Sequence, residues 1–266
     1  MASETETFLQ RVRPEVSAGG FARDDGTLEF YLRIQALLMP HWTVLDLGAG
    51  RGQMADALED DFRSKILRVR GNVARFIGAD VDKAVLENPL IDEAVVFDPS
   101  EALPFDEGQF DLVLSDWVLE HIADPTAFAA EVHRILKPRG WFCARTPNKW
   151  GYFAVGTRLL PSRAEGTVLS KLQPARKEVD VFPKFYRMNT ERAIRNAFRQ
   201  DLWKTYLYYS SPSPAYHGGS RILFSLIDSY QRLAPDIMKS VLLMFIQKSG
   251  PEGQVLHSST LHPQGR

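Results

Sequence analysis

Cysteine is nearly absent: Cys143 is the only one in 266 residues. That excludes an intramolecular disulfide and a cysteine-based zinc site, and it fits a reducing compartment. Net charge is nearly absent too, with 32 Lys plus Arg against 33 Asp plus Glu. Such a balance excludes a general nucleic-acid coat protein but leaves room for a local basic patch. Long apolar runs are missing. The longest, Val241 to Ile246, falls far short of the ~20 residues that cross a bilayer, and Met1 to Gln10 lack the apolar centre of a secretory signal. The expectation is a cytoplasmic protein without a transmembrane segment. Internal repeats and low-complexity tracts are lacking as well.

What is present is an alternation. Residues 1–26 mix Ser, Thr, Gly, Pro and charge without periodicity and are expected to be a flexible arm. Thr27 to Met39 carries helical spacing and stops at Pro40. Short β-type runs follow at Thr43–Leu47, Arg75–Ala79, Ala94–Phe97, Phe110–Leu114 and Trp141–Ala144. Helical patterns lie between them, with Met54, Leu58 and Phe62 on one face and Phe128, Val132, Ile135 and Leu136 on another. Strands alternating with helices predict parallel pairing with right-handed crossovers, hence a doubly wound α/β sheet. Leu202–Tyr209 and Val241–Gln247 are expected as a sixth and a final strand, with Ile222–Leu233 as a helix between them. That helix and the final strand are assigned to the core, with dimerisation or loose membrane contact as the lesser alternatives.

The first strand runs into Asp46-Leu47-Gly48-Ala49-Gly50-Arg51-Gly52. This is the point at which an open α/β sheet binds ligands, and glycines let a ligand lie against the backbone. A dinucleotide fingerprint would place its third glycine at position 53, where Gln53 stands. A carboxylate ahead of the glycines repels phosphate and attracts an ammonium or sulfonium ion, so the loop suits an amino-acid-bearing, phosphate-free ligand.

Val44 to Gly52 closely resembles motif I of the class I S-adenosylmethionine-dependent methyltransferases. The resemblance continues in order through Gly78-Ala79-Asp80, Phe97 to Phe105, Phe110 to His121 and Arg134 to Gly140. The nearest likeness is to the type 11 subgroup, which acts mainly on small molecules. The resemblance implies a seven-stranded, mostly parallel Rossmann-like sheet over 27–247. It also implies a substrate-lid insertion at 146–188, a smaller insertion at 210–239 and a C-terminal tail at 248–266. The cofactor it implies is S-adenosyl-L-methionine. Gly48, Ala49, Gly50 and Gly52 would cradle the methionine moiety, with Asp46 near its amino group. Asp80, followed by Val81, would accept the ribose hydroxyls. Asp98 would take the adenine amino group, and Ser115 and Trp117 would line the pocket. The alternatives are a cap or turn role for Asp80 and Asp98 and core packing for Trp117.

Methyl transfer is an in-line displacement that rests mainly on alignment, and a base is needed only for a protonated nucleophile such as a hydroxyl. His121, just past the fourth strand, is the leading candidate, with Tyr152, Tyr186 and His217 behind it; a helix-capping role is its alternative. Val118 to His121 also resembles the Glu/His segment of quinone-pathway O-methyltransferases, some of which use a divalent metal. That pattern wants a further acid where Trp117 stands, so no metal is expected. Residues 146–188 hold eight basic against three acidic side chains, which suits an anionic small-molecule acceptor, methylated on oxygen. The competing readings are a cofactor-binding subunit without catalysis and an RNA methyltransferase. The latter is opposed by Ser115-Asp116-Trp117-Val118, where enzymes that methylate base amino groups carry Asn/Asp-Pro-Pro-aromatic. A small-molecule substrate and a homodimer are the expected partners; nucleic acid is not.

Overall fold

In a computed structural model, which describes residues 7–52, 62–152, 154–155 and 183–250, the apolar runs form strands, the central ones covered on both faces and the edge strands half-exposed. The strands are β1 (Thr43–Leu47), β2 (Arg75–Asp80), β3 (Glu93–Val96), β4 (Phe110–Asp116), β5 (Leu136–Pro147), β6 (Trp203–Ser210) and β7 (Val241–Lys248). They make one sheet in the order β3-β2-β1-β4-β5-β7-β6. β1 to β5 pair in parallel, and β7 runs antiparallel between β5 and β6. This is the expected seven-stranded architecture.

The helices are α1 (Phe8–Val12), α2 (Gly26–Leu37), α3 (Phe62–Leu67), α4 (Pro125–Ile135), α5 (Glu191–Ala197) and α6 (Arg221–Leu233). Strand alternation divides the core. Phe142 and Ala144 of β5 pack with Val132 and Ile135 of α4 and with Ile194 of α5, whereas Cys143 packs with Phe30, Tyr31 and Ile34 of α2. Two carboxylates set helix starts: Asp25 accepts from Thr27 N and Leu28 N, and Asp124 from Thr126 N and Ala127 N.

Three expectations need correction. Residues 7–26 are not a flexible arm: α1 and a 3₁₀ turn at Pro14–Ser17 are pinned by Arg13, 4% exposed, which pairs with Asp24 at 2.7 Å and with Asp228. Pro138-Arg139-Gly140 does not separate a helix from a strand; β5 already begins at Leu136, and the stretch forms an irregularity against β4 with Arg139 at φ +64°. Finally, α6 does not bury its apolar stripe. Its buried residues are Phe224 and Gln231, while Ile222, Leu226 and Leu233 are exposed. Of the helical face expected from Met54, Leu58 and Phe62, Met54 and Leu58 lie outside the described residues, and Phe62 belongs to α3. Among the described residues, no helix is long and apolar enough to cross a membrane.

Candidate active site

β1 and β4 end side by side and deliver their last residues to a cleft of about 1080 Å³. Of the residues singled out from sequence, Asp46, Gly48, Ala49, Gly50, Gly52, Asp80, Val81, Trp117 and His121 all line it. The three glycines have positive φ, +89°, +52° and +73° in order, yet their surroundings differ. A Cβ at Gly48 would meet Val118 Cγ2 at 2.3 Å and one at Gly52 would meet Asn88 Oδ1 at 2.3 Å, whereas at Gly50 nothing lies within 4 Å. The open side of Gly50 is therefore where a ligand can press on the backbone.

The loop is fixed from behind. Gly48 N donates to Ala79 O at 2.7 Å and Gly50 N to Asp80 Oδ2 at 2.8 Å. Asn88 Nδ2 donates to the carbonyls of Ala49 and Gly50, each at 3.1 Å. Asn88 escaped the sequence reading because nothing local ties an Asn after a 3₁₀ turn to a loop 38 positions earlier.

Three carboxylates gather at the head of the cleft. Asp46 is half-buried, and its carboxyl is pushed up to about 8, first by loss of water and then by the negative charges of Asp116 and Asp80. Asp80 is buried and also accepts from Asp82 N at 2.8 Å, so its turn role and its place in the cleft coexist. Asp116 is held by Arg145, whose Nη2 donates to Oδ2 at 2.9 Å, and it accepts from the Tyr31 hydroxyl at 3.4 Å. The Arg145 guanidinium lies between the rings of Phe30 and Trp117, at 5.4 and 5.3 Å. Trp117 sits at φ +60°, a strained conformation for a bulky residue, with its ring 40% exposed on the cleft.

His121 closes a 3₁₀ turn, Leu119–His121, with Nδ1 2.8 Å from Pro183 O. A carbonyl can only accept, so Nδ1 carries the proton and Nε2 is the basic nitrogen of the neutral ring. Glu120 points the other way into the core. It accepts from Thr146 Oγ1 at 3.0 Å, and burial is the main cause raising its carboxyl above the ordinary range. Its backbone carbonyl accepts from Phe185 N and Tyr186 N, so residues 120 and 121 together fasten the 183–186 strand of chain against the cleft.

Two expected contacts are not brought to the cleft. Asp98 is exposed on its turn, and its Oδ1 accepts from Ser100 N at 2.8 Å and Ser100 Oγ at 2.6 Å. Its neighbours Phe97, Pro99, Ser100 and Glu101 line the cleft instead. Ser115 is fully buried and donates to Leu47 O at 3.1 Å, tying β4 to β1. Tyr152, Tyr186 and His217 are not among the lining residues; His217 stacks on Phe8 at 4.2 Å. Of the basic residues in 146–188, Arg158, Arg163, Lys171, Arg176 and Lys177 lie outside the described residues.

Comparison with known proteins agrees with this geometry. Residues 45–144 match the model of a methyltransferase domain. A Mycolicibacterium smegmatis protein named as a probable S-adenosylmethionine-dependent methyltransferase is 32% identical over 111 residues, 40% of this chain and 38% of that protein. The human mitochondrial arginine-hydroxylase NDUFAF5 is 35% identical over 101 residues, 37% of this chain and 26% of that one. The ubiquinone/menaquinone biosynthesis C-methyltransferase UbiE of Shewanella halifaxensis is 30% identical over 110 residues, 38% of this chain and 41% of that one. The chain thus spans about two fifths or less of the length of these relatives. For the fold alone, a methyltransferase solved in complex with the Haloferax volcanii Trm112 activator superposes with a TM-score of 0.50 at 20% identity, over 90% of this chain and 97% of that one. The glycine loop, the acid-lined cleft head and the sheet order agree with that match: residues 45–144 are similar to the methyltransferase domain of the type 11 family, and the sheet has the fold of the class I S-adenosylmethionine-dependent methyltransferases.

Proposed function

We propose that this chain transfers a methyl group from S-adenosyl-L-methionine to a small-molecule acceptor, on oxygen. The observation that carries the proposal is the convergence on one cleft of the open side of Gly50, the carboxylates of Asp46 and Asp80, and the imidazole of His121. The cradle fits the cofactor: Gly50 leaves room for it, and Asp46 supplies a carboxyl that a bound ammonium or sulfonium would draw into its ionised form. When bound, S-adenosylmethionine supplies an electrophilic methyl whose departure leaves both bonding electrons on a neutral sulfur. Asp46 and Asp80 hold the cofactor, Trp117 walls the acceptor side, and His121 Nε2 takes the proton of an acceptor hydroxyl. The 183–186 segment, fastened through Glu120 and His121, narrows access of water.

The same reading takes 27–247 as the methyltransferase domain, with 146–188 as its substrate lid, 210–239 as a smaller insertion and 248–266 as a tail. The basic excess of the lid supports an anionic acceptor. Turnover of neutral and anionic acceptors should respond differently when Arg158, Arg163 and Arg176 are replaced; equal losses would discard the anionic preference. A second reading, a domain that binds the cofactor without methyl transfer, is favoured by the relative named for arginine hydroxylation.

Calorimetric titration with S-adenosylmethionine and S-adenosylhomocysteine, using Asp80→Ala as control, tests the first step. Tight binding that Asp80→Ala weakens, followed by methylation of a phenolic or carboxylate acceptor, is the expected result. Binding without turnover across such acceptors would favour the second reading, and no binding would discard both.

A further inference from the structure

α6 is held to the body by a mixed face, in which Leu223 and Ile227 are half-buried beside Phe224, Asp228 and Gln231. Asp228 pairs with Arg13, Gln231 donates to Pro212 O at 3.1 Å and accepts from Ser240 Oγ at 2.7 Å, and Phe224 is the one apolar side chain of the helix that is fully buried. The apolar stripe points outward. Ile222, Leu226, Tyr230 and Leu233 recur at the spacing of one helical face and are 76%, 64%, 39% and 86% exposed. Ile237 and Met238, on the 3₁₀ turn Asp236–Met238, are exposed as well.

The charges are sorted around this stripe. The exposed ones on α6 are Arg221 and Arg232, which at ~100° per residue fall about 20° apart on the polar side of the helix, roughly 80–100° from Ile222; Arg232 is paired with Asp228 at 3.0 Å. The single acid of the helix, Asp228, is turned inward onto Arg13 and Arg232, with 15% of its side chain exposed. On the following turn Asp236 pairs with Lys239 at 2.6 Å.

We infer that this face docks on an anionic lipid surface, with α6 lying in the plane of the interface. An apolar stripe with a polar, arginine-bearing side, on a helix too short to span a bilayer, is the form of an interfacial helix, and Arg221 on that side can pair with a headgroup phosphate. The stripe also lies at the functional end of the molecule. Residues 211–240 join the end of β6 to the start of β7, and β6 runs parallel to β4, so α6 belongs to the end of the sheet at which Asp46 and Asp116 reach the cleft. The inference does not depend on the methyl-transfer proposal.

The full chain, sedimented with vesicles of phosphatidylcholine alone or mixed with phosphatidylglycerol, is expected to bind the mixed vesicles and to be released by salt. The double substitution Leu226→Asp, Leu233→Asp should weaken that binding about a hundredfold or more. Arg221→Gln should weaken it about fivefold on the anionic vesicles only. All three positions are exposed, so an unchanged thermal midpoint should accompany each loss and exclude misfolding as its cause. Absence of vesicle binding by the parent chain, or binding indifferent to the leucine substitutions, overturns the inference. So does a dimer in lipid-free light scattering that the leucine substitutions dissociate, because the stripe is then an interface between copies.

Discussion

Gly50 N donates to Asp80 Oδ2 at 2.8 Å, so the carboxylate expected to hold a ribose also holds the glycine loop in place. Asp80→Ala therefore removes a loop anchor and a ligand contact together, whereas Asp80→Asn keeps one acceptor oxygen for the loop. Cofactor affinity is expected to fall about a hundredfold in Asp80→Ala, the scale of a lost charge-assisted hydrogen bond, and less in Asp80→Asn. Calorimetry on the two variants checks it; equal affinity in all three proteins would remove Asp80 from the binding site.

Asp46 predicts a pH dependence. With its carboxyl at about 8 in the ligand-free protein, Asp46 is mostly protonated at pH 7. A cationic ligand favours the ionised form, so binding should release a proton below pH 8, and affinity should rise by up to about tenfold per pH unit until that point. Heats measured in buffers of different ionisation enthalpy report the proton, and Asp46→Asn should abolish its release.

The same group sets a stability trend. A carboxyl that ionises near 3.8 in the unfolded chain and near 8 in the folded one leaves the folded state holding more protons between those values, so stability falls as pH rises through that window. Asp46→Asn should therefore stabilise the ligand-free protein at neutral pH by about 0.5–2 kcal/mol while weakening cofactor binding. Thermal denaturation at pH 5 and pH 8 checks the sign: the gain should be larger at pH 8.

The glycine loop offers a prediction in which fold and function separate. Ala at Gly48 combines a positive φ with a Cβ 2.3 Å from Val118, an expected cost of about 3 kcal/mol or more. Ala at Gly50 meets no protein atom and should cost about 1–2 kcal/mol for its φ alone. Its methyl nevertheless enters the space assigned to the cofactor. Gly50→Ala should therefore remain folded by thermal denaturation and yet lose binding, the reverse of what stability alone would order.

Much of this was readable in the chain, for identifiable reasons. The inner strands of a parallel sheet are buried on both faces and show as apolar runs, so β1, β2, β4 and β5 announce themselves, while the edge strand β3 is half-exposed. The glycine loop is equally plain because few other residues adopt its three positive φ values. What sequence does not carry is direction. Asp98 and Ser100 look like a pocket acid and its neighbour, but the carboxylate turns back onto its own Ser100. Ser115 has a hydroxyl suited to a ligand and spends it on Leu47 O inside the sheet. In α6 the periodicity shows that Ile222, Leu226 and Leu233 share a face; the contacts of the other side, Arg13 with Asp228, Gln231 with Pro212 and Ser240, and the buried Phe224, turn this face outward.

His121 bears the remaining prediction. Its Nδ1 proton is taken up by Pro183 O at 2.8 Å, which orients the ring and leaves Nε2 as the base. Replacing His121 with Gln keeps a donor for Pro183 but removes the basic ring nitrogen. Turnover on a hydroxyl acceptor should fall about 10²–10⁴-fold while cofactor affinity stays unchanged. On an acceptor already ionised at the assay pH the loss should shrink towards nothing, because no proton then has to be removed. If His121→Gln slows ionised and un-ionised acceptors equally, His121 is positioning the 183–186 segment rather than accepting a proton.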